Sequence, residues 1–395
     1  MNLNLGLGLS GNKGAGGGAF SPLDLFAASE DGGLWDFTDT SLLYTDTGQT
    51  TNVTSDGDSV RSAQDLTTNN NDASQVLSAG QSPTWRPAET AIEWDGGDSL
   101  DVGAIPRDAG QTLAVRFKHS GTTPGNLIGA GDGTGNSYID FDDGVPQLVV
   151  DNIVNPAILR TDDDAWHTFV ATWVDTDLEI YLDGEKVFDG TKQADHSNEP
   201  YNIGSRGQFG AFVGAYTGEI SHALIRDQDV TLTGDQARGI HNAWMGESVA
   251  APDQGAHRYW RLVMHQGASA FIHFSEIELR ASASGADETS PSTTIVANST
   301  FGGLPATNLV DNSNGTEWAT NSPPGANPIT LEVDFGVGVT KEIVEVSLRN
   351  TANASREPES FLVQYSDDNS NWTTSWVDSD PTWAGTETIY VSTRP

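Results

Sequence analysis

The sequence predicts an all-β protein, two β-sandwich or jelly-roll domains behind an extended N-terminal segment, and three observations carry that reading. The 395 residues include 43 Gly and 17 Pro, set among Thr, Ser, Asn and Asp in the way that turns join short strands. Apolar residues alternate with polar ones in short runs that end in turn residues. Eleven Trp and 14 Phe supply the large apolar faces that sheet cores use. At roughly 100–200 residues per domain the length suits two or three domains, each able to bury a core.

Residues 1–20 read as a leader. Leu3, Leu5, Leu7 and Leu9 alternate with Asn and Gly, and a Gly-rich hinge follows from Gly14 to Gly18. A strand with one apolar face buries nothing alone, so it pairs with a partner's sheet edge or with copies of itself; the other reading is a disordered tail. Residues 21–247 form the first sandwich. AIEWDGGDSLDV (Ala91–Val102), QTLAVRFKH (Gln111–His119), NSYIDFDDG (Asn136–Gly144), PQLVVDN (Pro146–Asn152) and WHTFVATWV (Trp166–Val174) each alternate. LEIYLDGEKVFDG (Leu178–Gly190) is a hairpin with Asp183-Gly184 as its turn. One helix is expected from Gly234 to Trp244, opened by a capping box of Thr233 and Gln236. Residues 248–256 lack periodicity and serve as a linker. The second domain, 257–395, has strand candidates HRYWRLVMH, SAFIHFSEIELRA, PITLEVDFG, EIVEVSLRN, ESFLVQYSD and ETIYVST.

Charge and composition exclude several functions. Asp plus Glu number 55 against 19 Lys plus Arg, a net charge of −36 spread along the whole chain. Such a surface repels phosphate backbones and anionic lipid, which argues against nucleic-acid and membrane-surface binding. It suits solubility, a salty medium or divalent cations. The absence of Cys removes disulfides, thiolate zinc sites and thiol catalysis. No run approaches the ~18 apolar residues of a membrane span, and the uncharged start does not read as a secretory signal.

Catalytic signals are weak. Glu276/Glu278, Asp140/Asp142 and Glu332/Asp334 are i, i+2 carboxylate pairs, separated along a strand by roughly 6–7 Å. That spacing suits a glycosidase, but none lies in the E-x-D-x-E context of sandwich glycosidases, and solvated outer faces explain them. The eight His form no H-E-x-x-H or H-x-H pair. The Gly129–Gly135 loop lacks the G-K-[ST] of a phosphate cradle. The chain is therefore expected not to be an enzyme.

The first domain resembles the concanavalin A-like, laminin-G-type sandwich. The residues are Trp166-His167-x-Phe169-x-Ala171-x-Trp173, the hairpin Glu179-x-Tyr181-x-Asp183-Gly184-x-x-Val187, and YNIGSRGQFGAFVGAYTGEISHALI before the short helix. Upstream, SPLDLFA, GLWDFTDTSLLYTDTGQT, VTSDGDSV and SPTWRP resemble a recurring segment of tailed-phage structural proteins. The second domain resembles the discoidin-like, galactose-binding-type jelly roll of the coagulation factor five/eight C family. It does so through Ala306-x-Asn308-Leu309-Val310-Asp311-Asn312, Thr316-x-Trp318, Leu331-x-Val333-Asp334-Phe335-Gly336, and Phe361-x-Val363-x-Tyr365-Ser366-Asp367-Asp368 with Trp372. Arg258-Tyr259-Trp260-Arg261-Leu262 and Glu276-Ile277-Glu278-Leu279 close that family's domain but open this one. The resemblance thus implies a circularly permuted fold, with residues 257–280 pairing with strands beyond residue 330.

The resemblance also implies sites. Asp311 and Glu276, with Thr316 nearby, match the positions that often hold a structural Ca2+, with Asn312 where the family usually has Gly. Without the ion, Asp311 is a turn residue. Apart from the resemblance, Trp376 and Trp383 lie in a turn-rich segment, WTTSWVDSDPTW, that is hard to bury entirely, and with Tyr216 in AYTGE as a weaker case they are candidates for stacking on sugar rings, against core packing or subunit contact. Together these features suggest a non-enzymatic structural protein on the outer surface of a phage particle: a tail fibre, head decoration or baseplate part. Its partners would be other virion proteins through the leader, host-surface glycans, and copies of itself in a homo-oligomer, with a trimer favoured. The alternatives are a polysaccharide-degrading enzyme with accessory carbohydrate-binding modules, or a cellular adhesin.

Overall fold

A computed structural model describes residues 20–26, 30–75, 82–106, 110–130, 137–142, 144–150, 153–156, 159, 161–191, 200–208, 211–228, 231–246, 253–266, 271–321, 328–353, 356–378 and 381–394. Leu3, Leu5, Leu7 and Leu9 of the leader, and the linker up to residue 252, lie outside the described residues. The regular secondary structure of the described residues is nearly all strand, with one α-helix, as expected.

The first half forms two sheets. One runs in the order Glu185–Thr191, Asp177–Leu182, Trp166–Val174, Gly110–Lys118, Thr217–Asp227, Ala91–Asp95, Thr84–Arg86. The long strand Thr217–Asp227 shares one edge between two partners: its start pairs with Ala91–Asp95 and its end with Gly32–Asp36. The second sheet passes from Ile153–Pro156 through Ile128–Ala130, Pro200–Ile203 and Leu100–Ala104 to Leu43–Tyr44. Trp35, Trp94, Phe117, Phe169, Trp173 and Tyr201 belong to the core cluster of this half. Asp183 and Gly184 both take positive φ, 52° and 78°, as the two-residue turn of the expected hairpin requires.

The expected helix is present as Gly234–Met245, with Thr233 and Gln236 capping each other and Gly246 closing it in the left-handed conformation. Its Ala237, Ile240 and Trp244 cover the outer face of the first sheet, against Ala114, Val170, Tyr181 and Leu224. Gly204, at φ 80°, passes so close to the buried Trp94 that a Cβ would lie 2.1 Å from the indole ring. Gly204→Ala is expected to destabilise this sandwich by about 2 kcal/mol or more, through overpacking and backbone strain. A lowered denaturant midpoint at unchanged slope is the readout.

The second half is a smaller sandwich. One sheet runs Thr294–Ala297, Ile329–Asp334, Tyr259–Gln266, Pro358–Ser366, Thr373–Asp378; the other runs Trp318–Ala319, His273–Arg280, Glu345–Asn350, Ile389–Thr393. The opening strand Tyr259–Gln266 is thus a middle strand, antiparallel to Ile329–Asp334 on one side and Pro358–Ser366 on the other. These are the long-range partners that the permuted order requires. Trp260, Leu262 and Met264 face the core between the sheets.

The opposite face of that strand is covered in part by the first sandwich. Tyr259 and Arg261 are half-buried, but Val263 is buried, and with Leu362 it joins the apolar cluster of the first sandwich, with Leu159 and Val377 packed against it. The two halves therefore share an apolar contact. Beside it, edge strand Thr373–Asp378 lies against edge strand Glu185–Thr191, and the Thr374 amide donates to Glu185 Oε2 at 3.2 Å. Each edge is shielded by the other, which limits edge-to-edge aggregation.

Candidate functional site

The expected metal ligands come together, and one is not the solvated group its i, i+2 pairing suggested. Glu276 lies on strand His273–Arg280 and is only 6 % exposed. Asp311 caps the short 3-10 turn Ala306–Val310, which packs against the same strand. Asp311 Oδ1 accepts from the Ser313 amide at 2.8 Å, and Oδ2 accepts from Thr316 Oγ1 at 2.7 Å. Asn312 takes φ 61°, a left-handed conformation that Asn tolerates far better than most residues, so the loop keeps its tight shape without Gly.

Glu276 has no hydrogen-bond partner on either carboxylate oxygen. Burial first, and then the nearby charges of Asp311 and Asp287, push its carboxyl up to about 7. The amides of Asn312 and Ser313 pull the other way, yet neither closes a full hydrogen bond. A buried acceptor without a donor is costly, and a positive charge beside two carboxylates would remove the cost. Among the described residues no three His, Asp or Glu side chains gather as a metal site. Any ion here would therefore draw on Glu276, Asp311, Thr316 Oγ1, loop carbonyls and water, a set of hard oxygens suited to Ca2+.

The other carboxylate pairs are ordinary. Asp334 is held by Arg258 at 2.8 Å, Glu278 is paired with Arg280, and Asp140 accepts from the adjacent Phe141 amide.

The aromatic candidates need correction. Tyr216 is completely buried, stacked near Phe141 with its hydroxyl donating to the Lys118 carbonyl. Trp376, 4 % exposed, is a core residue whose Nε1 donates to Ser392 Oγ at 3.0 Å. Trp383 is half-buried against Phe274 and Tyr390. The inner faces of the two sandwiches take these rings, so Tyr216 and Trp376 offer no free face for a sugar.

Sequence reasoning missed a concave surface. A cleft of about 690 Å³ opens between the hairpin of strands Asp177–Leu182 and Glu185–Thr191, the entry to the helix, and strand Thr373–Asp378. Its walls lie far apart in the chain, and no local pattern marks them.

Comparison with solved structures gives distant likenesses over parts of the chain. Domain 4 of AbnA, a GH43 extracellular arabinanase from Geobacillus stearothermophilus in complex with arabinotriose, is 14% identical, with 54% of this chain and 98% of that one covered and a TM-score of 0.35. A heptameric SAP-like pentraxin from Limulus polyphemus is 16% identical, covering 38% and 80%, at 0.31. The CBM40 of the Ruminococcus gnavus IT-sialidase, bound to α2,3 sialyllactose, is 14% identical, covering 38% and 96%, at 0.33. At these scores none carries weight for what this chain does. No curated protein matches it. Residues 290–392, most of the second sandwich and including Asp311 and Thr316 but not Glu276, match the F5/8 type C domain family.

Proposed function

We propose that this chain is a non-enzymatic structural protein of a tailed-phage particle, whose discoidin-like domain, braced by Ca2+, presents a glycan-binding surface to the host. The observation that carries the display role is the F5/8 type C match on 290–392, in a domain packed firmly onto a second sandwich. The phage setting rests on the resemblance of the segments between Ser21 and Pro87. That stretch is woven into the first half: Gly32–Asp36 extends one sheet and Leu43–Tyr44 ends the other. The leader would anchor the chain to other virion proteins, and its alternation of leucine with Asn and Gly favours a homo-oligomer, a trimer, in which each copy is covered. Among the described residues no helix is long and apolar enough to cross a membrane.

At this site Ca2+ would supply charge rather than chemistry. Glu276 and Asp311 would hold it, fixing the 311–316 loop against strand His273–Arg280. The decisive measurement is mass spectrometry of purified virions, with the chain expected at a fixed, symmetric copy number. Its absence from particles would overturn the structural role, and release of reducing sugar from host polysaccharide would overturn the non-enzymatic one. A glycan array with and without Ca2+ tests the display surface.

A further inference from the structure

The cleft between the two halves has a chemistry unlike the rest of the molecule. Three carboxylates (Glu179, Glu185, Asp189) and three cations (Lys186, Arg238, Arg394) line it, so it is formally neutral in a chain of net charge −36. Each cation is already engaged by the protein. Lys186 Nζ lies 2.7 Å from Glu179 and 3.0 Å from Asp189; Arg238 is 2.6 Å from Asp235 and Arg394 2.7 Å from Glu342. Tyr181 donates its hydroxyl proton to Glu179. Among the described lining residues every cation is thus already paired with a carboxylate of the protein, which weakens its pull on a phosphate, sulfate or carboxylate.

Among the described lining residues one carboxylate is left largely unsatisfied. Glu185 receives a single hydrogen bond, from the Thr374 amide, leaving most of its acceptor capacity open. Ser375, in the same wall, has a buried Oγ without a partner. Burial pushes the Glu185 carboxyl up to about 7, so it is a poor counter-charge for a cationic ligand. Leu232, Trp376 and Val377 also border the cleft, the first two almost fully buried. An acceptor carboxylate in a charge-neutral, part-apolar cleft suits a ligand rich in hydroxyl donors and without net charge. The volume lies within the ~300–1,000 Å³ of small-molecule sites, which favour domain interfaces.

We propose that this interdomain cleft binds a short neutral oligosaccharide, with Glu185 accepting hydrogen bonds from neighbouring sugar hydroxyls. The site deepens the glycan-attachment reading and rests on it for the ligand class, but it is separate from the Glu276–Asp311 cluster, which lies on the other sheet of the second sandwich.

The test is calorimetric titration of the full chain with panels of neutral and uronate-bearing oligosaccharides, in EGTA and in Ca2+. Two variants accompany it. Glu185→Gln keeps an oxygen for the Thr374 amide but loses the carboxylate, and Thr231→Trp fills the cleft from the loop before the helix. The expected result is binding of a neutral oligosaccharide, unaffected by EGTA, weakened at least tenfold in both variants, with neither variant melting below the wild type. Wild-type binding that neither variant weakens would overturn the cleft and leave the attachment reading standing. Preference for the uronate panel, or no saccharide bound at millimolar concentration, would also overturn the cleft. Virion copy number decides the structural role independently.

Discussion

A chain starting at residue 290 is expected to lose cooperative unfolding, whereas one starting at residue 256 keeps a single transition, below that of the full protein. The F5/8 type C match starts at residue 290, yet the fold unit does not. Removing 257–289 deletes Tyr259–Gln266, which separates Ile329–Asp334 from Pro358–Ser366, and His273–Arg280, which bridges Trp318–Ala319 to Glu345–Asn350. Trp260, Leu262, Met264, Phe274, Ile277 and Leu279 would leave the core with them. At about 2–5 kcal/mol for each large apolar side chain truncated, the six losses together match or exceed the ~5–15 kcal/mol that holds a domain folded. The longer piece melts below the full chain because Val263 and Leu362 lose the first sandwich that covers them. In the full chain, Trp260→Ala is expected to cost about 3–5 kcal/mol: the ring is 1 % exposed, packs near Tyr365 and Trp376, and donates to the Lys341 carbonyl at 3.0 Å. Differential scanning calorimetry of the two pieces and the variant is the check. Equal, cooperative melting of both pieces would refute the pairing.

Those pairings were legible because their signals are local or carried by family order. The Asp183-Gly184 turn and the Thr233/Gln236 capping box need only neighbouring residues, and both formed as read. The place of Tyr259–Gln266 followed from the displaced motif. What sequence could not convey is what covers a face. Alternation says that Val263 lies opposite Trp260 and Leu262, but not that a second sandwich sits on that side. It places Glu276 and Glu278 on one face, but not that the 311–316 loop buries the first while Arg280 pairs with the second. Tyr216 and Trp376 failed as sugar platforms for a related reason: a turn-rich context marked them as exposed, while the core took both rings. The cleft was invisible because Glu185 and Thr374 meet only after both domains have folded and docked.

Calcium is expected to raise the melting temperature at pH 8 and to lose much of that effect at pH 5. Glu276 is a carboxyl whose folded-state value is raised, from the usual 4.5 to about 7. Its protonated form is therefore the one the fold prefers. Without metal, stability from this group is intact below about 4.5, is withdrawn as pH climbs through the interval, and is fully lost above 7. An ion reverses the preference by holding the carboxylate charged, so binding releases a proton and strengthens with pH. At a hundredfold excess over Kd the gain is about 2.7 kcal/mol, on the order of 5–10 °C for a domain of this size. In EGTA at pH 8, Glu276→Gln should melt above the wild type, because it removes a buried charge; in Ca2+ it should gain nothing from the site. The surface complicates the measurement, since a chain of net charge −36 attracts divalent cations everywhere. Ordinary surface carboxylates stay ionised at pH 5, so their diffuse contribution persists there and survives the substitution. The component that vanishes both on acidification through 7 and in Glu276→Gln is the one that belongs to the site, and a wild-type response lacking that component would rule the ion out.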